Sequence, residues 1–268
     1  MSAVNSYGVF VHGLHKSASM FLYKIFRDLA EEAGIDYYSS NYKLAGTNKL
    51  QPNQKDLRRV TKSSFCYCPV RHFARSPEAM PPQKPEWGDR PFIVYDDFPN
   101  IDRIYRIYQI RDPRDILVSE YFSFGFIHFG RKQTSARKQQ IQNMTIDEYC
   151  LEYADKLLDR YQSILPIAAG NSPDRLIVKY ETMVLDYKSW LSQVMKPFQF
   201  ELPETEVLEK YYQKYKHEFN TEGFEESMKH KRKMIPGDHK EKLQESTIKT
   251  LNDKFSAILD RFYALKTA

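Results

Sequence analysis

The amino-acid sequence predicts an α/β fold, a single domain whose mostly parallel central sheet is flanked by helices, and three observations carry that expectation. Residues 7–11, Tyr-Gly-Val-Phe-Val, are a short, largely apolar run that leads through a turn into an amphipathic helical pattern. Residues 104–110, Ile-Tyr-Arg-Ile-Tyr-Gln-Ile, alternate apolar with polar or amphipathic side chains and pass directly into a second helix start. Strand-like stretches at 92–95 and 175–179 again alternate with helical patterns. Strands separated by helices imply parallel pairing with both faces of the sheet covered, and ligands beyond the strands' C-terminal ends. At 268 residues and 41% hydrophobic content the chain is long enough for a real core. Residues 1–268 are expected to form one domain, because the site argued below draws on both ends of the chain.

Between the first strand and the first helix lie Gly13-Leu14-His15-Lys16-Ser17-Ala18-Ser19. The helix is set by Leu22, Ile25, Phe26, Leu29, Ala30 and Ala33 at three- and four-residue spacing, with Gly34 as its C-terminal stop. Such a turn aims its backbone N–H groups, and those of the helix's first turn, at one point. There the helix dipole, the Lys16 ammonium and the serine hydroxyls all favour an anion. This is a P-loop-like phosphate-binding strand-loop-helix. It lacks the second glycine of G-x-x-x-x-G-K-[ST], and its lysine follows Gly13 by three residues, so it is not a standard ATP loop. On these residues alone, a turn with Lys16 in solvent is the competing reading.

From about Ser39 to Arg90, prolines at 52, 69, 77, 81, 82 and 85 interrupt a segment with little periodicity, which reads as long loops or short helices. After the 104–110 strand comes Arg111, then Asp112 suited to cap the next helix, Pro113 suited to its first position and Asp115 in its first turn. Ser119 follows on the same helix. A guanidinium at a strand's C-terminal edge, beside a helix hydroxyl, suits a second phosphate. An ordinary salt bridge from Arg111 to a neighbouring aspartate is the alternative. Residues 124–144 read as a candidate lid, with Phe124, Phe126 and Phe129 either lining a pocket or simply packing. Leu151, Ala154, Leu157, Leu158, Tyr161, Ile164 and Leu165, and later Leu251, Phe255, Ile258, Leu259 and Phe262, mark helical core faces.

Three cysteines, Cys66, Cys68 and Cys150, are too few and too unevenly spaced for a disulfide framework or a zinc site, so free thiols are expected. No metal is expected at His12 or His15, which flank the first loop. No segment approaches the roughly 20 apolar residues of a membrane span, and no basic region precedes a hydrophobic run at the N-terminus, so a soluble cytoplasmic protein is expected. The net charge of +5 suits an anionic ligand. The basic clusters Lys229–Lys233 and Arg131-Lys132 lack a recognition helix or aromatic platform, so no nucleic-acid partner is expected. Nothing in the chain specifies an oligomeric state.

At these residues the chain resembles the sulfotransferases. Lys16-Ser17-Ala18-Ser19-Met20 is similar to their 5′-phosphosulfate loop, [PH]-[KR]-S-G-[TS]-[TS], and Arg111-Asp112-Pro113-Arg114-Asp115-Ile116-Leu117-Val118-Ser119 to their 3′-phosphate motif, R-[ND]-P-[KR]-D-x-x-x-S. A third segment, Arg232-Lys233-Met234-Ile235-Pro236-Gly237-Asp238-His239-Lys240, resembles R-K-G-x-x-G-D-W-K, and Tyr180-Glu181-Thr182-Met183 resembles a Y-E-D-M element whose tyrosine lies near the adenine. The three phosphate motifs occur in family order across most of the chain.

The resemblance implies a donor co-substrate, 3′-phosphoadenosine-5′-phosphosulfate (PAPS), with 3′-phosphoadenosine 5′-phosphate (PAP) as product and no required metal. The sulfuryl group would pass to a hydroxyl or amine of a small-molecule, glycan or lipid acceptor. Lys16 would stabilise the leaving phosphate; Ser17, Ala18, Ser19 and Met20 would hold the 5′ side; Arg111, Ser119, Arg232 and Lys233 the 3′-phosphate; and Tyr180 the adenine side. The family's catalytic histidine motif, K-T-H-x-P, is absent. Registering on Pro99 puts Asp97 in the histidine's place, as candidate general base, with Asp96 the alternative; neighbours on an extended backbone point to opposite sides. An acidic turn without catalytic duty is the other reading of these aspartates. Ala18 replaces the family's glycine, Met20 a hydroxyl residue and Met234 the glycine of R-K-G, while the stacking tryptophan has only Phe21 as a substitute. An ATP- and magnesium-dependent small-molecule kinase, and a donor-binding relative without catalysis, are the alternatives.

Overall fold

The computed structural model describes residues 7–39, 64–70, 73–74, 93–94, 103–127, 135–162, 174–219 and 234–263. Its contacts divide the chain into two compact units, Met1–Ile110 with Ser172–His217, and Arg111–Asn171 with Glu218–Ala268.

The first unit holds the sheet. Strands β1 (Gly8–Gly13), β2 (Asp36–Tyr38), β3 (Phe65–Val70), β4 (Phe73–Ala74), β5 (Ile93–Val94), β6 (Ile104–Ile110) and β7 (Arg175–Lys179) are its described strands. Five of them form one all-parallel sheet in the order β2-β3-β1-β6-β7. Val9, Phe10 and Val11 of the central strand are fully buried, as a parallel strand covered on both faces requires. Gly13 lies opposite Gln109, and Ile110 opposite Lys179, so β1, β6 and β7 end at one edge of the sheet.

Two strand expectations need correction. The 39–90 segment, read as loops or short helices, contributes the wholly buried β3 and the short β4, while β2 lies just before it. Phe65-Cys66-Tyr67-Cys68-Pro69-Val70 shows no alternation because both of its faces are covered, and Pro69 argues against a strand on sequence grounds. The ladder tolerates that proline at an irregularity: Phe10 pairs Tyr67, but His12 pairs Val70. Of the expected 92–95 strand, Ile93–Val94 are described, and they pair with β4 in a separate two-stranded ladder rather than in the main sheet.

Helix α1 (Ser19–Glu32) buries Leu22, Ile25, Phe26, Leu29 and Ala30 and ends with Gly34 in the left-handed conformation, as its sequence predicts. Each large side chain removed from water on this stripe contributes about 1.5–3 kcal/mol. The helices numbered next are α2 (Pro113–Phe122), α3 (Ser135–Gln142), α4 (Ile146–Gln162), α5 (Tyr180–Leu185), α6 (Tyr187–Met195), α7 (Glu204–Tyr215), α8 (Asp238–Lys242), α9 (Glu245–Lys254) and α10 (Ser256–Tyr263). Within the first unit, α7 braces α1 through polar contacts. Tyr215 Oη and Lys214 Nζ donate to Asp28 Oδ2 at 2.6 and 2.5 Å, and Tyr211 Oη donates to Glu32 Oε2 at 2.8 Å. Burial pushes the Asp28 carboxyl up, but the hydrogen bonds from Lys214 and Tyr215 together with the Lys214 and Arg27 charges outweigh it and leave it below its ordinary value.

In the second unit, Tyr149, Cys150, Ala154, Leu157 and Tyr161 form the buried face of α4, and Leu251, Phe255, Ile258, Leu259 and Phe262 are buried as expected. Leu151, assigned to the core face from its spacing, is 40% exposed, because it lies about 100° around the helix from Cys150. Ile164 and Leu165 lie outside the described residues. A π-helical turn, Ser123–Ile127, extends α2 and carries Phe124 and Phe126 of the expected lid, while Phe129 lies outside the described residues. Cys66, Cys68 and Cys150 are buried free thiols. Among the described residues no helix is long and apolar enough to cross a membrane, and no group of His, Cys, Asp and Glu is placed to hold a metal ion.

Candidate functional site

The loop after β1 is built mainly of backbone. Lys16 and Ala18 both have positive φ, 66° and 62°. Neither is glycine, and the left-handed region costs an L-residue roughly 1–2 kcal/mol, so the segment keeps a strained shape where an anion is expected. Ala18 thus keeps the conformation that the family's glycine would adopt freely. Ser17 between them is fully buried, and its hydroxyl donates to the Leu14 carbonyl at 2.6 Å, closing the turn from inside. Ala18 is the N-cap of α1 and gives no side-chain cap, while its carbonyl accepts from Phe21 and Leu22 N–H at 2.8 and 3.0 Å. Lys16 and Ser19 are half-buried and Met20 is exposed at the helix's first turn.

Beneath the loop, His12 is 2% exposed and stacks on Tyr108 with ring centroids 4.5 Å apart. Burial, reinforced by the Arg106 charge, holds its pKa well below the usual imidazole range, so the ring is neutral at physiological pH.

The same sheet edge carries the adenine-side candidate. Tyr180 opens α5 directly after β7 and is 5% exposed. Its segment is anchored by Gln109 at the end of β6, whose Oε1 accepts from Trp190 Nε1 at 3.0 Å and whose Nε2 approaches Met183 Sδ at 3.8 Å. Phe21, the substitute for the stacking tryptophan, packs among Tyr187, Trp190 and Tyr215, with centroids 5.7, 6.1 and 5.5 Å away.

In the second unit, the sequence after Arg111 folds as its residue types dictate. Asp112 caps α2, accepting from Arg114 N–H at 2.9 Å, Pro113 occupies the first turn, and Asp115 is its acidic residue. Asp112 also takes the Arg114 guanidinium at 3.0 Å (Nε) and 2.6 Å (Nη2), and Arg114 Nη1 donates to Asn252 Oδ1 at 2.5 Å. Arg114 is therefore committed to bracing the turn. Arg111 is 5% exposed, and its carbonyl accepts from the buried Tyr161 hydroxyl of α4. Ser119 is half-buried on α2.

Asp115 does more than favour a helix dipole. Its Oδ2 accepts from Gly237 N–H at 2.7 Å, and its Oδ1 from His239 N–H at 3.0 Å and His239 Nδ1 at 2.6 Å. Burial raises this carboxyl, but the His239 hydrogen bond, the Arg111 charge and the Gly237 amide together bring it down to about 2. Gly237 has φ of +94°, a turn that a side chain would strain. The start of the Arg111–Ser119 segment and the Gly237–His239 turn are thus joined through one aspartate. Sequence reasoning gave Asp115 only a dipole role, and no local pattern marks a partner 122 residues away. Arg232, Lys233, Asp96 and Asp97 lie outside the described residues, as do both basic clusters.

A family model for the sulfotransferase domain matches residues 102–263, a span that contains Arg111–Ser119, Tyr180 and Arg232–Lys240 and begins after the first loop. Among solved structures, the chain is similar to mouse sulfotransferase SULT7A1 complexed with PAP, at 14% identity and a TM-score of 0.62, covering 96% of this chain and 85% of that one. It is also similar to retinol dehydratase in complex with androsterone and inactive cofactor PAP (13% identity, TM-score 0.53, covering 94% and 80%) and with retinol and PAP (15%, 0.54, 94% and 81%). A search of curated protein sequences gives no significant match. At these identities the structural likeness establishes the fold. The family match covers more than half of the chain and includes Arg111–Ser119, and on that ground the protein belongs to the sulfotransferase domain family.

Proposed function

We propose that the chain transfers a sulfuryl group from PAPS to an acceptor hydroxyl or amine by in-line displacement. The observation that carries this reading is the family match containing Arg111–Ser119, with Arg111 leading directly into a capped helix. In this reading the sulfur–oxygen bond to the donor phosphate breaks as the acceptor oxygen or nitrogen bonds to sulfur, and the negative charge left on the phosphate is stabilised by Lys16 without a metal. The loop supports this role, since its left-handed backbone at Lys16 and Ala18 is set by the fold itself. Ser17, Ala18, Ser19 and Met20 form the 5′ side; Arg111, Ser119, Arg232 and Lys233 take the 3′-phosphate; Tyr180 borders the adenine.

Asp97 accepts the acceptor's proton in this proposal, with Asp96 as the competing base. Asp97→Asn is then expected to depress turnover more than donor affinity, and the same result from Asp96→Asn instead would move the base by one position. The structural relatives crystallised with androsterone and retinol support testing small apolar alcohols first. The assay is transfer of labelled sulfate from PAPS to a panel containing a hydroxysteroid, a retinoid alcohol, a phenol and an amine. Labelled product with any of them supports the reading. PAP binding without turnover on the whole panel, or on glycan and lipid alcohols added to it, would favour a non-catalytic donor-binding protein.

A further inference from the structure

We propose that Asp115 is a positioning residue for recognition of the donor's 3′-phosphate, holding the Gly237–His239 turn of the third motif to the helix that starts beside Arg111. The proposal rests on the PAPS reading above.

Three donors from one turn converge on a carboxylate that is 1% exposed, and all of them belong to the segment that follows Arg232 and Lys233 by a few residues. An ionised carboxylate only accepts, so the proton on the His239 ring sits on Nδ1, and the tautomer is set by Asp115. His239 Nε2 is buried and has no hydrogen-bond partner among the described residues, so the orientation of the ring depends on its bond to Asp115. Where the family pattern has tryptophan, this chain has a side chain that needs a carboxylate to place it. Asp115 also feels the charge of the Arg111 guanidinium, four residues earlier in the chain. A single carboxylate therefore sets both the Gly237–His239 turn and the field around Arg111, and a partner of that kind tunes binding without touching the ligand.

The test is calorimetric titration of the full chain and its variants with PAP and with adenosine 5′-phosphate, which lacks only the 3′-phosphate. Wild type is expected to prefer PAP. Asp115→Asn is expected to lose about tenfold or more in PAP affinity while its affinity for adenosine 5′-phosphate stays within about twofold, so that the preference shrinks. His239→Phe, which keeps the ring but removes the donor, is expected to shift the ratio in the same direction. His239→Asn, whose amide N–H can replace Nδ1–H, is expected to restore it to within about threefold. A preference unchanged in Asp115→Asn, or equal losses for both nucleotides, would overturn the proposal while leaving the donor reading intact. If Asp115→Asn does not fold, the His239 pair decides by the same criterion. A wild type with no preference for PAP would overturn the donor reading and this proposal together.

Discussion

The two regions proposed to bind the donor's phosphates are built in opposite ways. The loop at 14–18 is shaped by backbone: two left-handed residues, a serine folded back on its own turn, and a helix start without a side-chain cap. The Arg111 region is shaped by carboxylates: Asp112 fixes the helix start and Arg114, and Asp115 fixes the distant 237–239 turn. A backbone cradle tolerates sequence change, since Ala18 and Met20 leave the amide donors in place. A carboxylate-braced arginine cluster does not, because each removed partner strands a buried charge. The difference fits a first loop that departs from the family pattern at Ala18 and Met20 while Arg111-Asp112-Pro113-Arg114-Asp115 stands intact.

The comparison can be broken most directly at Asp112. Asp112→Ala removes the cap and leaves the buried Arg114 without its bidentate partner, and a loss of about 3–5 kcal/mol is expected in denaturant unfolding. A loss below about 1 kcal/mol would mean that the carboxylate is not what shapes the region. Lys16→Ala carries the next effect. Turnover should fall by about 10²–10³-fold with thermal stability unchanged, since the side chain is half-buried on a turn; unaltered turnover removes Lys16 from the chemistry.

A pH series sharpens the contrast. The Asp115 carboxyl lies at about 2 in the folded chain, against an ordinary value of 3.8. Its folded value is depressed, so its contribution to stability is fully present above the ordinary value and disappears as the pH falls from about 4 toward 2. Thermal melts across that range should show an acid limb that Asp115→Asn makes shallower, and an identical limb in the variant would exclude Asp115 as its source. The smallest effect is expected in the loop. Ala18→Gly relieves a left-handed alanine and should raise stability by about 0.5–1 kcal/mol, and destabilisation there would show that the alanine methyl packs usefully.

Much of this was legible in the sequence where the signal is local. Residues 104–110 and 175–179 are strands to the residue, and Asp112-Pro113 starts a helix, because alternation and capping chemistry act within a few positions. β3 was not legible, since a strand buried on both faces shows no period and Pro69 contradicts it. The β2 strand is three residues at the sheet edge, too short to carry a pattern. Asp115, Tyr161 and the Phe21 cluster depend on partners far away in the chain, and spacing carries no information about them. Leu151 shows the finer limit: a one-position error on a helix turns a core residue into a surface one.

The central claim is that the chain binds a 3′-phosphorylated donor nucleotide without a metal. It is tested most directly by calorimetric titration with PAP in the presence and absence of magnesium, with ATP as comparison and Arg111→Ala as control. The account predicts PAP binding that is independent of magnesium, stronger than that of ATP, and lost in Arg111→Ala. No PAP binding, or a preference for magnesium–ATP that survives in the variant, would contradict it and favour a kinase.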